Sequence, residues 1–375
     1  MVNKISMHWY KIKNEDQIDS PALLIYPDRI QHNINCMLQQ VDGDAKRLFP
    51  HVKTHKMQEV VQLQMEAGIE KFKCATLSEL EMCLSIGVKE ILVAYQMVGP
   101  KIGRLVQLVQ KYPATDISSL VDDLEIAKEL ARAFEHSNLT ANVYLDIDNG
   151  MHRTGYPLNE DTFDMVRALT EIPHLQFKGL HVYDGQFRSK EVTERKKGSD
   201  QAFYPTYPLF AKIQDELGIT STVISGGSPA FSPAAARSNV CCSPGTTLLW
   251  DYGYAQMVPE IPLQWAALLL TRVISKPTHG IVTMDLGHKA VGSENPIDKR
   301  IYFLNLEGYE VYKHSEEHLV VKVSNWEDIR VGEVFYGVPH HVCPSVALHE
   351  EAHVVRSNEW TENWEVIARK RKLTI

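Results

Sequence analysis

The chain has no apolar run near the roughly 18–20 residues that a membrane-spanning helix needs. Its opening stretch, Met1–His8, lacks the apolar core of a secretory signal, so a cytoplasmic protein with no membrane partner is expected. CxxC pairs are absent as well. The six cysteines, Cys36, Cys74, Cys83, Cys241, Cys242 and Cys343, are scattered. In a reducing compartment such residues are mostly small core side chains, not a disulfide framework. There is no basic tract: Lys plus Arg is 39, Asp plus Glu is 47, and the net charge is −8. That balance excludes nucleic acid as the expected partner. No linker rich in proline, glycine or serine and no low-complexity tract breaks the chain.

What is present is ordinary globular sequence, 44% hydrophobic and 23% charged, which excludes disorder and fibrous repeats. Its 375 residues allow two or three domains, or one large barrel with a smaller domain. Histidine is the odd composition: there are 16, and six fall between His314 and His353. Between residues 20 and 230, short β-branched or apolar runs alternate with stretches of helical period. The runs are Ala22–Tyr26, Arg47–His51, Phe72–Thr76, Ile91–Tyr95, Ile117–Val121, Val143–Ile147, Lys178–Tyr183 and Thr222–Ser225. Among the helical stretches, Met57, Val60, Val61 and Met65 share a face, as do Leu105, Leu108 and Val109. Ser78 is the expected N-cap before Glu79–Ser85 with Gly87 as the stop, and Asp122 the cap of a helix toward Ala133.

Strand–helix alternation predicts a parallel sheet, and eight repeats of this length fit a (β/α)8 barrel beginning with the strand at Ala22. A doubly wound sheet is the competing architecture; the lack of GxGxxG after the first strand favours the barrel. After about residue 255 the pattern changes to strand-like runs separated by turns: Ala267–Ile274, Gly280–Met284, Val311–Lys313, His318–Val323 and Val354–Arg356. The expected organisation is therefore a barrel over 20–255 and a mostly β domain over 256–375. Residues 1–19 join the β domain, with Met7–Lys13 as a further strand.

A barrel places its chemistry in the loops after the strand C-termini. Those loops here carry Pro50–Lys56, Asp148–Gly155, His181–Gly185 and Ser225–Pro229, all polar, titratable or rich in glycine. Each has a bland reading. Gly226-Gly227 could be a tight turn only, yet without Cβ atoms it also suits close approach to a phosphate. Lys53 could be a surface lysine, yet a lysine flanked by His51 and His55 at a strand end is placed for Schiff-base chemistry. Arg153 could be a structural ion-pair donor or the partner of an anion. His181 and Tyr183 are two apart, so they share one face of a strand, toward either the barrel mouth or the outer helices. Lysine, phosphate cradle and arginine on one rim together suggest pyridoxal phosphate.

The segment Pro50–Lys56 (PHVKTHK) resembles the Schiff-base segment of the D-threonine aldolase and D-serine dehydratase family, pyridoxal-phosphate enzymes built on the alanine-racemase-type barrel. The resemblance continues through Ala75–Glu79, Ile91–Tyr95, Asp148–Gly155, Ser225–Pro229, Pro244–Thr246, Asp285–Ala290, Glu316–His318 and His341–Ser345. It implies Lys53 as the Schiff-base lysine and Gly226, Gly227 and Ser228 at the phosphate. It also implies Arg153 near the pyridoxal ring and a homodimer. Tyr183 and Ser225 join these as candidate site residues, Tyr183 with Lys53 as catalytic. The family's divalent ion, usually zinc, implies His341 and Cys343 as ligands, and H-x-C suits that ion; Cys343 could instead be a plain buried thiol. Four positions depart from the family pattern: Phe49 where arginine is frequent, Thr247 where an aromatic is common, Leu319 for a glycine and His340 for an asparagine.

The activity so implied is a lyase on D-amino acids with a β-hydroxyl. The cysteine form of H-x-C is closer to D-serine dehydratases, the aspartate form to the aldolases. D-Serine dehydratase-like elimination is therefore expected, with D-threonine aldolase-like cleavage as the alternative. A racemase and a non-catalytic pyridoxal-phosphate carrier are the more distant readings.

Overall fold

The computed structural model describes residues 8–375. In chain order its strands are β1 (Ala22–Ile25), β2 (Lys71–Cys74), β3 (Glu90–Gln96), β4 (Asp116–Val121), β5 (Ala141–Asp148), β6 (Tyr156–Pro157), β7 (Leu175–Val182), β8 (Thr222–Ser225) and β9 (Cys241–Cys242). The later strands are β10 (Ala267–Thr278), β11 (Ile281–Met284), β12 (Ile301–Phe303), β13 (Tyr309–His314), β14 (Leu319–Val323), β15 (Val334–Pro339), β16 (Glu351–Arg356) and β17 (Glu359–Glu365). The chain divides into two compact units. One holds 36–53, 60–245 and 370–375; the other holds residues up to Asn35, 54–59 and 246–369. Among the described residues no helix is long and apolar enough to cross a membrane.

The first unit is a parallel barrel. Strands pair in the order β2-β3-β4-β5-β7-β8-β9, with β6 beside β5. Residues 48–51 close the ring: Leu48 bridges Cys242 at one end of the sheet and His51 bridges Lys73 at the other. Parallel strands buried on both faces read as continuous apolar runs, and β3 does so over Ile91, Leu92 and Val93. Phe49, Leu92, Leu120, Tyr144 and Ile224 fill the interior. Amphipathic helices such as Pro100–Lys111 and Leu124–Glu135 connect the strands and bury one apolar face each.

The second unit is antiparallel for the most part, and it corrects the expected first barrel strand. β1 pairs antiparallel with β10 and parallel with β16, so it belongs to this sheet. The period of Ala22–Tyr26 is that of any buried strand and does not say which sheet takes it. The eight staves are therefore residues 48–51, β2, β3, β4, β5, β7, β8 and β9. Residues 8–13 are turn and irregular structure, not the expected strand, and Met7 lies outside the described residues. Tyr10 and Ile12 nonetheless pack with Leu24, Leu268 and Tyr336 in this unit's core.

Two helix caps are corrected too. Thr76, not Ser78, caps the helix Leu77–Ser85 by accepting from Glu79 N, and Asp123, not Asp122, caps Leu124–Glu135. In each case a second polar side chain lies one or two positions away, and only the extended backbone at the true cap lets it bond the free N–H groups. Asp122 instead accepts from Gly155 N at 2.9 Å. None of the six cysteines is in a disulfide.

Candidate active site

Within the barrel unit a cavity of about 590 Å³ opens among the strand C-termini. Lys53 lines it, following the 48–51 stave on a short turn, Val52–Thr54. Its backbone N–H donates to His51 Nδ1 at 3.3 Å. Arg153 and Tyr183 line the same cavity, and the Arg153 guanidinium stands 4.8 Å from the Tyr183 ring centre. His181 and Tyr183 both face it, their rings parallel within 1° at 6.4 Å.

Around His181 lie residues that sequence reasoning missed, Asp146, Lys73 and Ser243. Asp146 on β5 and His181 on β7 are register partners on neighbouring strands. Asp146 Oδ1 holds His181 Nδ1 at 2.6 Å, and its Oδ2 accepts from the Thr154 hydroxyl at 2.8 Å. Burial alone would raise the Asp146 carboxyl, but His181, Thr154 and Arg153 hold it below the usual range. Burial lowers His181; Lys73 and Arg153 add to this, while Asp146 opposes it. His181 is thus neutral, its Nδ1–H donated to an ionised Asp146 and Nε2 left as an acceptor. Lys73, 2% exposed, sits 3.5 Å from that Nε2 and donates to Ser243 Oγ at 2.5 Å. Its pKa falls to about 7 through burial first and Lys53 second. The sequence did carry a signal: a charged residue inside a short strand of otherwise buried residues is rarely idle.

The loop after β8 is built tightly. Gly226 has φ +72°, and a Cβ there would lie 2.4 Å from Ala234 Cβ; one on Gly227 would lie 2.7 Å from the Tyr183 ring. Ser225 Oγ is buried without a hydrogen-bond partner, and Ser228 Oγ accepts from Gly245 N at 3.2 Å. The Gly227 N–H is already committed to Asp184 Oδ1 at 3.3 Å, so glycine's role at 227 is room, not donation. An orphaned hydroxyl, two glycines without space for a side chain and a lysine-lined cavity fit pyridoxal phosphate.

In the β unit, His341 caps the short helix Val342–Leu348 that carries Cys343. Asp251 anchors the cap, accepting from Val342 N at 3.1 Å and Tyr254 N at 2.8 Å. Burial pushes that carboxyl up to about 6. His341 Nδ1 is 2.5 Å from Glu294 Oε1. The Thr54 and Thr246 hydroxyls lie 3.3 and 3.6 Å from Cys343 Sγ. Burial would lower His341, but Cys343, Asp251 and Glu294 outweigh it and raise the imidazole to about 9. An imidazole oriented by a carboxylate, next to a thiol, is a donor pair that fits a zinc-like ion with open positions. Among the described residues no group of three or more His, Cys, Asp or Glu is arranged to hold a metal.

The other clustered histidines are structural. His314 and His349 bond the carbonyls of Leu286 and Ala290 through Nε2, and His340 packs on Tyr252. His318 is exposed at a turn.

A family model described as "alanine racemase, N-terminal domain" matches residues 25–240, and one described as "putative serine dehydratase domain" matches 266–355. A D-threonine aldolase from an Arthrobacter species is 25% identical over 358 residues, covering 94% of this chain and 93% of its own. A D-threo-3-hydroxyaspartate dehydratase from Delftia is 27% identical over 223 residues, 59% of this chain and 58% of its own. The crystal structure of D-threonine aldolase from Filomicrobium marinum superposes with a TM-score of 0.85 at 27% identity, covering 94% of this chain and 95% of that one.

Proposed function

The chain belongs to the alanine racemase N-terminal-domain family, and from that premise we propose that it is a pyridoxal-phosphate-dependent lyase of D-amino acids bearing a β-hydroxyl. The observation that carries this reading is the lysine-lined barrel cavity beside a glycine loop whose buried Ser225 hydroxyl has no partner. The names of the full-length relatives support the substrate class.

Bound here, pyridoxal phosphate would supply an electron sink for charge developing at the substrate Cα. Lys53 Nζ is the atom that would attach it, and the same amine would move the proton at the substrate Cα. Ser225 and Ser228 would meet the phosphate, with Gly226 and Gly227 giving it room. Arg153 and Tyr183 flank the ring. His341 and Cys343 would hold a divalent ion such as zinc, whose chemistry is Lewis-acid stabilisation of the β-oxygen. Glu294 orients His341 for that duty.

Between the two outcomes, the cysteine at 343 supports elimination to a keto acid and ammonia. The aldolase relatives, matched over nearly their whole length, support the second reading, cleavage to glycine and an aldehyde. A homodimer is part of the proposal, checked by light scattering.

The test is direct. Purified protein is reduced with borohydride and digested, and the peptide bearing the cofactor is identified; attachment at Lys53 is expected. D-Serine and D-threonine are then supplied with and without a chelator. Keto acid from D-serine supports the dehydratase; glycine plus aldehyde from D-threonine supports the aldolase. No product from either, or attachment elsewhere, overturns the reading.

A further inference from the structure

With Lys73 protonated, the buried chain Asp146–His181–Lys73–Ser243 runs in one direction. Ionised Asp146 only accepts, so His181 Nδ1–H donates to it at 2.6 Å and Nε2 becomes an acceptor facing Lys73. The Lys73 ammonium has no acceptor capacity and donates to Ser243 Oγ at 2.5 Å. The proton of Ser243 is therefore turned away from Lys73. The one acceptor it meets is the Ser225 carbonyl at 3.4 Å, a long contact. The network thus ends in a hydroxyl with a proton to give.

The position of that hydroxyl is fixed by backbone. Ser243 N donates to the carbonyls of Ser225 at 2.9 Å and Gly226 at 3.1 Å, so Ser243 flanks the glycine loop. In pyridoxal phosphate the aldehyde carbon and the ring nitrogen lie on opposite sides of the ring, and the phosphate arm is on the ring carbon next but one to the nitrogen. A group tethered at Lys53 by its aldehyde and at Ser225–Ser228 by its phosphate turns its nitrogen away from Lys53, along the phosphate side. Ser243, bonded to the Ser225 and Gly226 carbonyls, flanks the loop that would hold the phosphate, and its neighbour Lys73 lines the cavity.

We infer that the Ser243 hydroxyl donates a hydrogen bond to the ring nitrogen of the cofactor, and that Lys73 is the positioning residue that aims it. This rests on the pyridoxal-phosphate reading above. A neutral hydroxyl donor leaves the nitrogen without a full positive charge, unlike a carboxylate partner, which favours the protonated ring. The site is thereby built for a milder electron sink.

The experiment compares pyridoxal phosphate with its 1-deaza analogue, in which carbon replaces the ring nitrogen. Affinities for wild type, S243A and K73M are measured by quenching of intrinsic fluorescence, with thermal melting as the folding control. Wild type is expected to bind the analogue roughly 3- to 10-fold more weakly, the scale of one neutral hydrogen bond. S243A, and K73M if it folds, should bind both ligands equally, because a cycle isolates the pair that is lost. In S243A the visible band of the bound cofactor shifts relative to wild type. An equal analogue penalty in wild type and S243A, with an unshifted band, overturns the inference. Failure of wild type to bind pyridoxal phosphate at Lys53 would instead sink the functional reading, which the borohydride experiment detects separately.

Discussion

His181 and His341 each hold a carboxylate through Nδ1 at nearly the same distance, Asp146 at 2.6 Å and Glu294 at 2.5 Å. They are pushed in opposite directions. Burial lowers His181, with the Lys73 and Arg153 cations adding to the effect. His341 is pulled up to about 9 despite burial, because Cys343, Asp251 and Glu294 all face it. A carboxylate on one nitrogen therefore fixes which nitrogen is free, but the remaining neighbours decide what the ring is for. Among cations in a closed barrel it is a neutral acceptor. Beside a thiol and two carboxylates it is a site for positive charge, whether a proton or a metal ion.

The largest effect belongs to the lysine that the barrel network surrounds. Lys53→Ala should abolish borohydride-stable labelling and lower turnover by roughly 10³-fold, measured by peptide mass and steady-state assay. Unchanged labelling would detach the network from any cofactor.

The two pairs should then separate. Asp146→Ala leaves the buried His181 Nδ1–H without its acceptor and Lys73 without a counter-charge, and stability should fall by about 3 kcal/mol in urea denaturation. Glu294→Gln changes an exposed pair, so stability should stay within about 0.5 kcal/mol, while metal affinity drops about 10- to 100-fold by competition with a chromophoric chelator. Equal stability losses would erase the contrast.

A third histidine tests the burial side alone. His55 is fully buried, its pKa lowered to about 3 chiefly by burial, and its Nε2 has no partner. Folded His55 stays neutral where the unfolded chain takes up a proton. The stability it allows is thus complete above about pH 6.5 and is lost as pH falls toward 3. Between pH 6.5 and 4.5 the loss should be about 2 kcal/mol, and His55→Gln should flatten it in parallel urea titrations. Smallest is Thr76→Ala, far from either carboxylate–histidine pair in sequence: losing the Glu79 N cap should cost about 1 kcal/mol, read as a shift in Tm.

Much of the architecture was legible in the sequence because period and turn chemistry are local. The barrel strands from Phe72 to Ser225 and the change of pattern near 255 were visible that way. The sheet that receives β1 was not, since its partners lie at 267–270 and 353–354. The rim residues Lys53, Arg153, Tyr183 and Ser225–Ser228 stood in loops where charge and glycine are conspicuous. Lys73, Asp146, Ser243 and Glu294 did not, because each gains meaning only from a partner many residues away. β12, β15 and β17 were missed as well; β17 alternates polar residues on both faces and has little apolar signal.

The placement of β1 has a consequence for how the chain is made. During synthesis from the N-terminus, the staves of the barrel are complete once residue 242 has emerged. β1, made first, has one edge unpaired until β10 emerges and the other until β16 does. Throughout that interval the apolar strand Ala22–Ile25 keeps an open edge. A nascent chain stalled before residue 267 should therefore recruit holdase chaperones, and the same release point moved beyond residue 356 should free it.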